Sequence, residues 1–207
     1  MEKYIMRNPP VIIVAHAALP DDLCYALIDA HCNAEEDLIE IDEYGVQTYA
    51  LIEGNNDHSD CMEWIEEFIP WDEDFGKICN IRILKYGMEC FRPWMCDDPE
   101  GGDTGKVIFN LNESFVGGNL SVDGHKFVPF TGSMVAFNNP TERWHGIEPV
   151  LTGERFSLVL RFTRPDDFVE PEDDMAQQEL QQLLNDDVIA SNDDAEERVF
   201  PKVILKN

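Results

Sequence analysis

Basic residues are scarce in this 207-residue chain. Fifteen lysines and arginines stand against 42 aspartates and glutamates, a formal net charge of −27. A surface of that sign repels phosphate backbones, which argues against nucleic acid as a partner. Such a charge keeps a protein soluble, and it leaves a basic protein surface open as a partner. Long apolar runs are also missing. The best, Val11-Ile12-Ile13-Val14-Ala15, is far too short to span a bilayer, and the residues from Met1 to Pro10 carry no secretory pattern. The expectation is a cytoplasmic protein, not secreted by a signal peptide and with no membrane segment. The six cysteines, at 24, 32, 61, 79, 90 and 96, include no CxxC pair, so reduced thiols are expected in place of a disulfide or thiolate-zinc framework.

What is present suffices for a folded body. Hydrophobic residues make up 43% of the chain, near the globular norm, and the length suits one domain with appendages. Residues 9–15 read as a short buried strand. Leu19-Pro20-Asp21-Asp22 opens a helix, since proline and acids suit a first turn, and Leu23, Ala26, Leu27 and Ala30 follow at helical spacing. One or two strands fit between Asp37 and Glu53. After the turn cluster Asn55-Asn56-Asp57-His58, a second amphipathic helix carries Met62, Ile65, Phe68 and Ile69 and stops at Pro70.

From Lys77 the pattern changes to short strands between glycine-rich turns: Ile78–Tyr86, Val107–Leu111, Leu120–Val122, Lys126–Val128, Met134–Phe137, Ile147–Val150 and Arg155–Phe162. That succession predicts a sandwich or barrel with the helices packed on one sheet. Beyond Pro165 the composition turns acidic, with 13 acidic and 3 basic residues from Asp166 to Asn207. Within it, Met175–Leu184 reads as a helix. Val199–Leu205 reads either as a terminal strand or as a peptide that docks on a neighbour's sheet edge.

The stretch Trp144–Phe162 concentrates the chemistry. His145, a residue type that ligates first-row metals, precedes Arg155 by ten residues, and Ser157 follows two further on. Arginine grips carboxylates through a planar fork. Read as a hairpin turning at Gly153, the stretch sets 147–150 opposite 155–161. An arginine aimed into a barrel is costly unless an anion meets it; the alternative is a rim arginine paired with one of the many acids. His16, His31 and His125 read as structural. His58-Ser59-Asp60, the one literal His-x-Asp, reads as a helix cap.

The run from Lys106 to Phe162 resembles the double-stranded β-helix of the iron(II)- and 2-oxoglutarate-dependent oxygenases. The nearest likeness is to the prolyl-hydroxylase-like branch, which includes many phage-encoded members. The matching pieces are Phe109-Asn110-Leu111-Asn112, Phe115-Val116-Gly117-Gly118-Asn119-Leu120, Pro129-Phe130-Thr131-Gly132-Ser133-Met134-Val135-Ala136-Phe137, then His145, Pro149-Val150, Gly153 and Arg155-Phe156-Ser157. With the helical first part, the likeness covers about residues 11–164. It implies an α+β, mainly β fold: a double-stranded β-helix (jelly roll, cupin-like) at 1–164 with two N-terminal helices packed on one sheet, then an acidic C-terminal extension at 165–207.

The resemblance also implies roles. His145 and Asp97 would ligate Fe(II), Arg155 and Ser157 would hold the distal carboxylate of 2-oxoglutarate, and Tyr86 would line that pocket. The departure is at Trp94-Met95-Cys96-Asp97, where relatives carry an aromatic residue and then His-x-acid: Met95 stands at the position of the first histidine. A thioether is a soft ligand, poorly suited to Fe(II). Two functions follow as expectations. One is an oxygenase acting with Fe(II) and 2-oxoglutarate on a protein side chain or a small molecule. The other is a non-catalytic binding or assembly module on the same fold, such as a virion component, with a protein partner and with assembly through the C-terminal peptide.

Overall fold

The computed structural model describes residues 11–51, 62, 76–97, 103–138, 143–163 and 202–206. Strand β1 (Val11–Ala15) leads to helix α1 (Asp21–Asn33). Pro20 stands extended at the helix N-cap, and Asp21 and Asp22 fill the first turn, where the helix dipole favours negative charge. The buried stripe is Cys24, Leu27 and His31. It is turned from the expected one: Leu27 is shared, Leu23 and Ala30 are half-buried, and Ala26 faces solvent. Cysteine and histidine score low in a hydrophobic-period reading, yet both fill space beside the sheet. Full burial of Leu27 alone contributes about 1.5–3 kcal/mol.

A 3-10 turn (Glu36–Leu38) and strands β2 (Ile39–Ile41) and β3 (Gln47–Ala50) account for the segment expected to hold one or two strands. The remaining strands are β4 (Lys77–Tyr86), β5 (Arg92–Cys96), β6 (Asp103–Asn110), β7 (Val116–Gly117), β8 (Leu120–Val122), β9 (His125–Phe127), β10 (Met134–Asn138), β11 (Trp144–Ile147), β12 (Val150–Thr152), β13 (Arg155–Thr163) and β14 (Lys202–Lys206). One helix is described. Of the expected second helix only Met62 is described, and it is helical; Ile65, Phe68, Ile69, the His58-Ser59-Asp60 cap and the Met175–Leu184 helix lie outside the described residues.

An eight-stranded sheet has the order β14-β1-β10-β6-β13-β4-β3-β2, and a four-stranded sheet has the order β5-β11-β8-β9. From β4 onward the chain alternates between them, which is the jelly-roll path of a double-stranded β-helix. Pairing is antiparallel except at the edge, where β14 joins β1 in parallel. The C-terminal peptide is therefore a terminal strand of the chain's own sheet.

Strand β13 sits at the centre and is buried on both faces. Phe156, Leu158, Leu160 and Phe162 point outward to a core shared with Leu19, Cys24 and Leu27 of the α1 layer. The alternate residues Arg155, Ser157, Val159 and Arg161 point between the sheets, where Val159 packs with Leu84, Tyr86, Ile108, Leu120 and Ile147. Polar residues on that inner face need partners, and they define the site.

The expected hairpin is not formed. Gly153 does turn the chain, at φ 79°, and a Cβ there would lie 2.6 Å from the Ser114 carbonyl oxygen. However, β12 pairs with β7, and β13 pairs with β4 and β6, so 147–150 do not lie opposite 155–161. The expected single strand Ile147–Val150 is split into β11 and β12 around Pro149, which has no N–H for a ladder. A positive-φ glycine reverses the chain without choosing the next strand's partner, and here the reversal carries the chain into the large sheet. Replacing Gly153→Ala should cost about 1–3 kcal/mol through strain and the carbonyl contact, read as a lower urea midpoint.

His31 supplies a pH test. It is 4% exposed, with its ring edge-on to Phe156 at 5.7 Å and to Tyr49 at 6.4 Å. Burial lowers its pKa below 6.5, only partly offset by a backbone hydrogen bond at Gln47. The unfolded chain then binds more protons below pH 6.5, so this contribution to stability is full above 6.5 and declines as pH falls from there. In urea melts from pH 7 to 5, His31→Phe should show a flatter stability profile than the parent.

Candidate functional site

Antiparallel pairing of β5 with β11 sets Met95 directly opposite His145. Directly opposed residues share a face, and strand alternation brings Asp97 to the side of Met95. His145 is 6% and Asp97 9% exposed, whereas Met95 is 39% exposed. The two expected ligands are thus together, with the methionine beside them. From the facing sheet, Lys106 of β6 reaches in between them. Its Nζ donates to Asp97 Oδ1 at 2.7 Å and lies 2.9 Å from His145 Nε2. His145 Nδ1 lies 3.3 Å from the Arg143 carbonyl oxygen.

These contacts select one tautomer. Nδ1 carries the proton toward Arg143, and Nε2 offers its lone pair to the lysine ammonium. Burial first, and then the Lys106 charge, lower the His145 pKa to about 4 against the opposing pull of Asp97. The imidazole is neutral at pH 7. The Lys106–Asp97 pair, with side chains 12% and 7% exposed, links the two sheets.

The residues present do not fit Fe(II). Among the described residues no three of His, Cys, Asp and Glu are grouped to hold a metal. The position across from His145 offers a soft thioether, and an ammonium lies within hydrogen-bond reach of both remaining ligand atoms. A divalent cation between Asp97 and His145 would have to displace Lys106 and then face its charge.

A second cluster lies further along β13. Arg155, paired with Tyr86 across β13 and β4, is fully buried. One Nη donates to Asn110 Oδ1 at 2.9 Å, and the guanidinium carbon lies 5.2 Å over the Tyr86 ring. Nε, the other Nη and the buried Ser157 hydroxyl have no hydrogen-bond partner. Burial pushes the Tyr86 hydroxyl pKa up and the Arg155 pKa down. A buried cation with two unmet donors beside an unmet hydroxyl is suited to a carboxylate, which would satisfy all three. Sequence reasoning therefore finds Tyr86, Arg155 and Ser157 gathered as expected, and Arg155 is not a rim residue.

Between the sheets runs a cavity of about 370 Å³, lined among others by Tyr86, Leu84, Ile108, Asp97, Lys106 and His145. Two partners were missed from sequence, Lys106 and Asn110. Both had a signal: in Lys106-Val107-Ile108-Phe109-Asn110 the alternation puts 106, 108 and 110 on one face, and that face looks inward.

Comparison with known proteins agrees with this fold. Residues 81–163, strands β4 to β13, match the family model of the 2OG-Fe(II) oxygenase superfamily. Over that stretch the chain is similar to the 2OG-Fe(II) oxygenases. Its fold is similar to that of a Pseudomonas putida prolyl-4-hydroxylase, with TM-score 0.61 and 22% identity over 74% of this chain and 92% of that one. It is also similar to the viral collagen prolyl hydroxylase of Paramecium bursaria Chlorella virus-1 in its 2OG complex (TM-score 0.55, 14% identity, 75% and 96% covered). A third likeness is to a Trichoplax adhaerens prolyl hydroxylase in complex with a hypoxia inducible factor peptide fragment (TM-score 0.58, 12% identity, 73% and 83% covered). No curated protein sequence matches. Among the described residues, no helix of this prolyl-hydroxylase-like fold is long and apolar enough to cross a membrane.

The lysine bridge carries a stability test. Replacing Lys106→Met should cost about 3–5 kcal/mol, because Asp97 is left charged and buried without its ammonium. The double variant Lys106→Met with Asp97→Asn should recover most of that loss in urea denaturation.

Proposed function

We propose that this chain is a metal-free binding module on a prolyl-hydroxylase-like barrel, with a small dicarboxylate such as 2-oxoglutarate as its ligand. The observation that carries the reading is Lys106. Its ammonium takes up Asp97 and His145, the two side chains that the oxygenase resemblance assigns to iron. Met95 supports it, since the third ligand position is a thioether. The ligand class rests on Arg155 and Ser157, whose unmet donors are matched by a carboxylate. Without a metal, the Arg155 cluster alone holds that carboxylate, and this chain's contribution is to bind and to desolvate it. A protein partner belongs to the same reading, since Trp94 and Trp144, 48% and 41% exposed, flank Met95 and His145 on the small sheet.

The alternative, an active oxygenase, is favoured by the retention of Asp97, His145 and Arg155 in one barrel. One experiment separates the two. The protein is purified anaerobically, mixed with Fe(II) and 2-oxoglutarate, and assayed for bound iron and, after oxygen is admitted, for succinate. The expected outcome is far less than one iron per chain and no succinate. Calorimetry without metal should show 2-oxoglutarate binding that weakens about tenfold or more in Arg155→Gln. Stoichiometric iron with succinate release would overturn the metal-free reading. The double variant Met95→His with Lys106→Ala should gain iron.

A further inference from the structure

Among the described residues that line the cavity, Lys106 alone carries a primary amine. Its side chain is 12% exposed, whereas that of Lys126 on the outer surface is 52% exposed. The Nζ atom has a carboxylate oxygen of Asp97 at 2.7 Å and a neutral ring nitrogen of His145 at 2.9 Å. An ion pair needs the first contact and not the second. An amine held between a carboxylate and an unprotonated imidazole is arranged for carbonyl chemistry: one neighbour stabilises positive charge on nitrogen, and the other takes a proton. Leu84, Ile108, Leu120, Ile147 and Val159 line the same cavity. That apolar wall limits the water that would hydrolyse an imine.

The cavity also connects the amine to the carboxylate cradle. Tyr86 lines the cavity, and the Arg155 guanidinium lies over its ring. Arg155 donates to Asn110, which is four residues along β6 from Lys106, about 13 Å of strand. An extended lysine side chain and a five-carbon dicarboxylate together span that gap. A 2-oxo acid held at Arg155 by its far carboxylate thus has its ketone directed towards Nζ. At about 370 Å³ the cavity has the size of a small-molecule site.

We propose that Lys106 captures the ketone of a 2-oxo acid as a protonated imine, a covalent activity beyond reversible anion binding. It rests on the ligand reading above for the class of its substrate. In the step, an Nζ proton passes to His145 Nε2, the amine lone pair forms a C–N bond to the ketone carbon, and the carbonyl pair moves to oxygen. The carbinolamine then loses that oxygen as water, which carries away two of the three Nζ hydrogens, relayed through His145. One N–H and the positive charge stay on nitrogen, so Asp97 keeps its partner throughout. No oxidant or reductant takes part.

The full chain is mixed with 2-oxoglutarate, and separately with pyruvate, and each mixture is reduced with sodium cyanoborohydride. Intact mass and peptide mapping then locate the adduct. The expected outcome is one secondary amine per chain, on Lys106, at about tenfold or more the level on Lys126. Glutarate, which has both carboxylates and no ketone, should form no adduct and should slow the capture of 2-oxoglutarate. Lys106→Arg keeps the charge beside Asp97 and should abolish the adduct without a rise on other lysines. Absence of an adduct with both acids overturns the imine, as does labelling of Lys106 no higher than that of Lys126. Calorimetric binding of 2-oxoglutarate without capture overturns the imine and leaves the ligand reading standing. Capture of pyruvate without binding of 2-oxoglutarate does the reverse. Should Lys106→Arg fail to fold by circular dichroism, the peptide map of the parent chain decides alone.

Discussion

The two sheets of this barrel are joined at a buried ionic contact, the Lys106 ammonium held by Asp97 and His145. A lysine on the inward face of a strand is costly to desolvate, and only a carboxylate at close range makes the position tolerable. The contact also dictates the state of its neighbours. It fixes the tautomer of His145 and keeps that ring neutral. It also ties β5 and β11 to β6, so the same three side chains close the barrel and shape the wall of its cavity. In an oxygenase-like fold the corresponding job, bringing an acid and a histidine from the small sheet to one point, is given to a metal by resemblance; a covalently tethered cation can do the structural half of that work.

Polar residues elsewhere on the inner face follow a related logic. Arg155 stacks over Tyr86 and donates to Asn110, yet keeps two donors unmet beside the Ser157 hydroxyl. Closing the site completely would have stabilised the empty barrel. Under the proposed binding role, those unmet groups are a preorganised shape for an anion, because little needs to move when one arrives.

Much of this was legible in the chain. Strand alternation and turn residues located β4, β8, β10 and β13 closely, and the Asp123-Gly124 turn sits where expected, with both residues at positive φ. The resemblance named Tyr86, Arg155, Ser157, Asp97 and His145, and the structure sets Arg155 against Tyr86 and Asp97 near His145. The misreadings have physical causes. Gly153 announces a reversal, but in a jelly roll a reversal can lead to the other sheet, so local turn chemistry left the partner of β13 undetermined. The α1 stripe was drawn from aliphatic residues, while Cys24 and His31 do the packing. Lys106 escaped notice because lysine is expected in water, and only its alternation with Ile108 and Asn110 marked it as inward-facing.

The parallel pairing of β14 with β1 bears on the order in which the chain is assembled. Val11 and Lys202 are partners separated by roughly 190 residues, the greatest sequence span of any ladder described. Loop-closure entropy makes such a contact the most expensive to form from an unfolded chain. The central ladders β4–β13 and β6–β13 lie within one continuous stretch and need no help from it. Until β14 arrives, β1 presents a bare sheet edge, the kind of surface that recruits stray strands. Its attachment covers that edge with the chain's own last described strand.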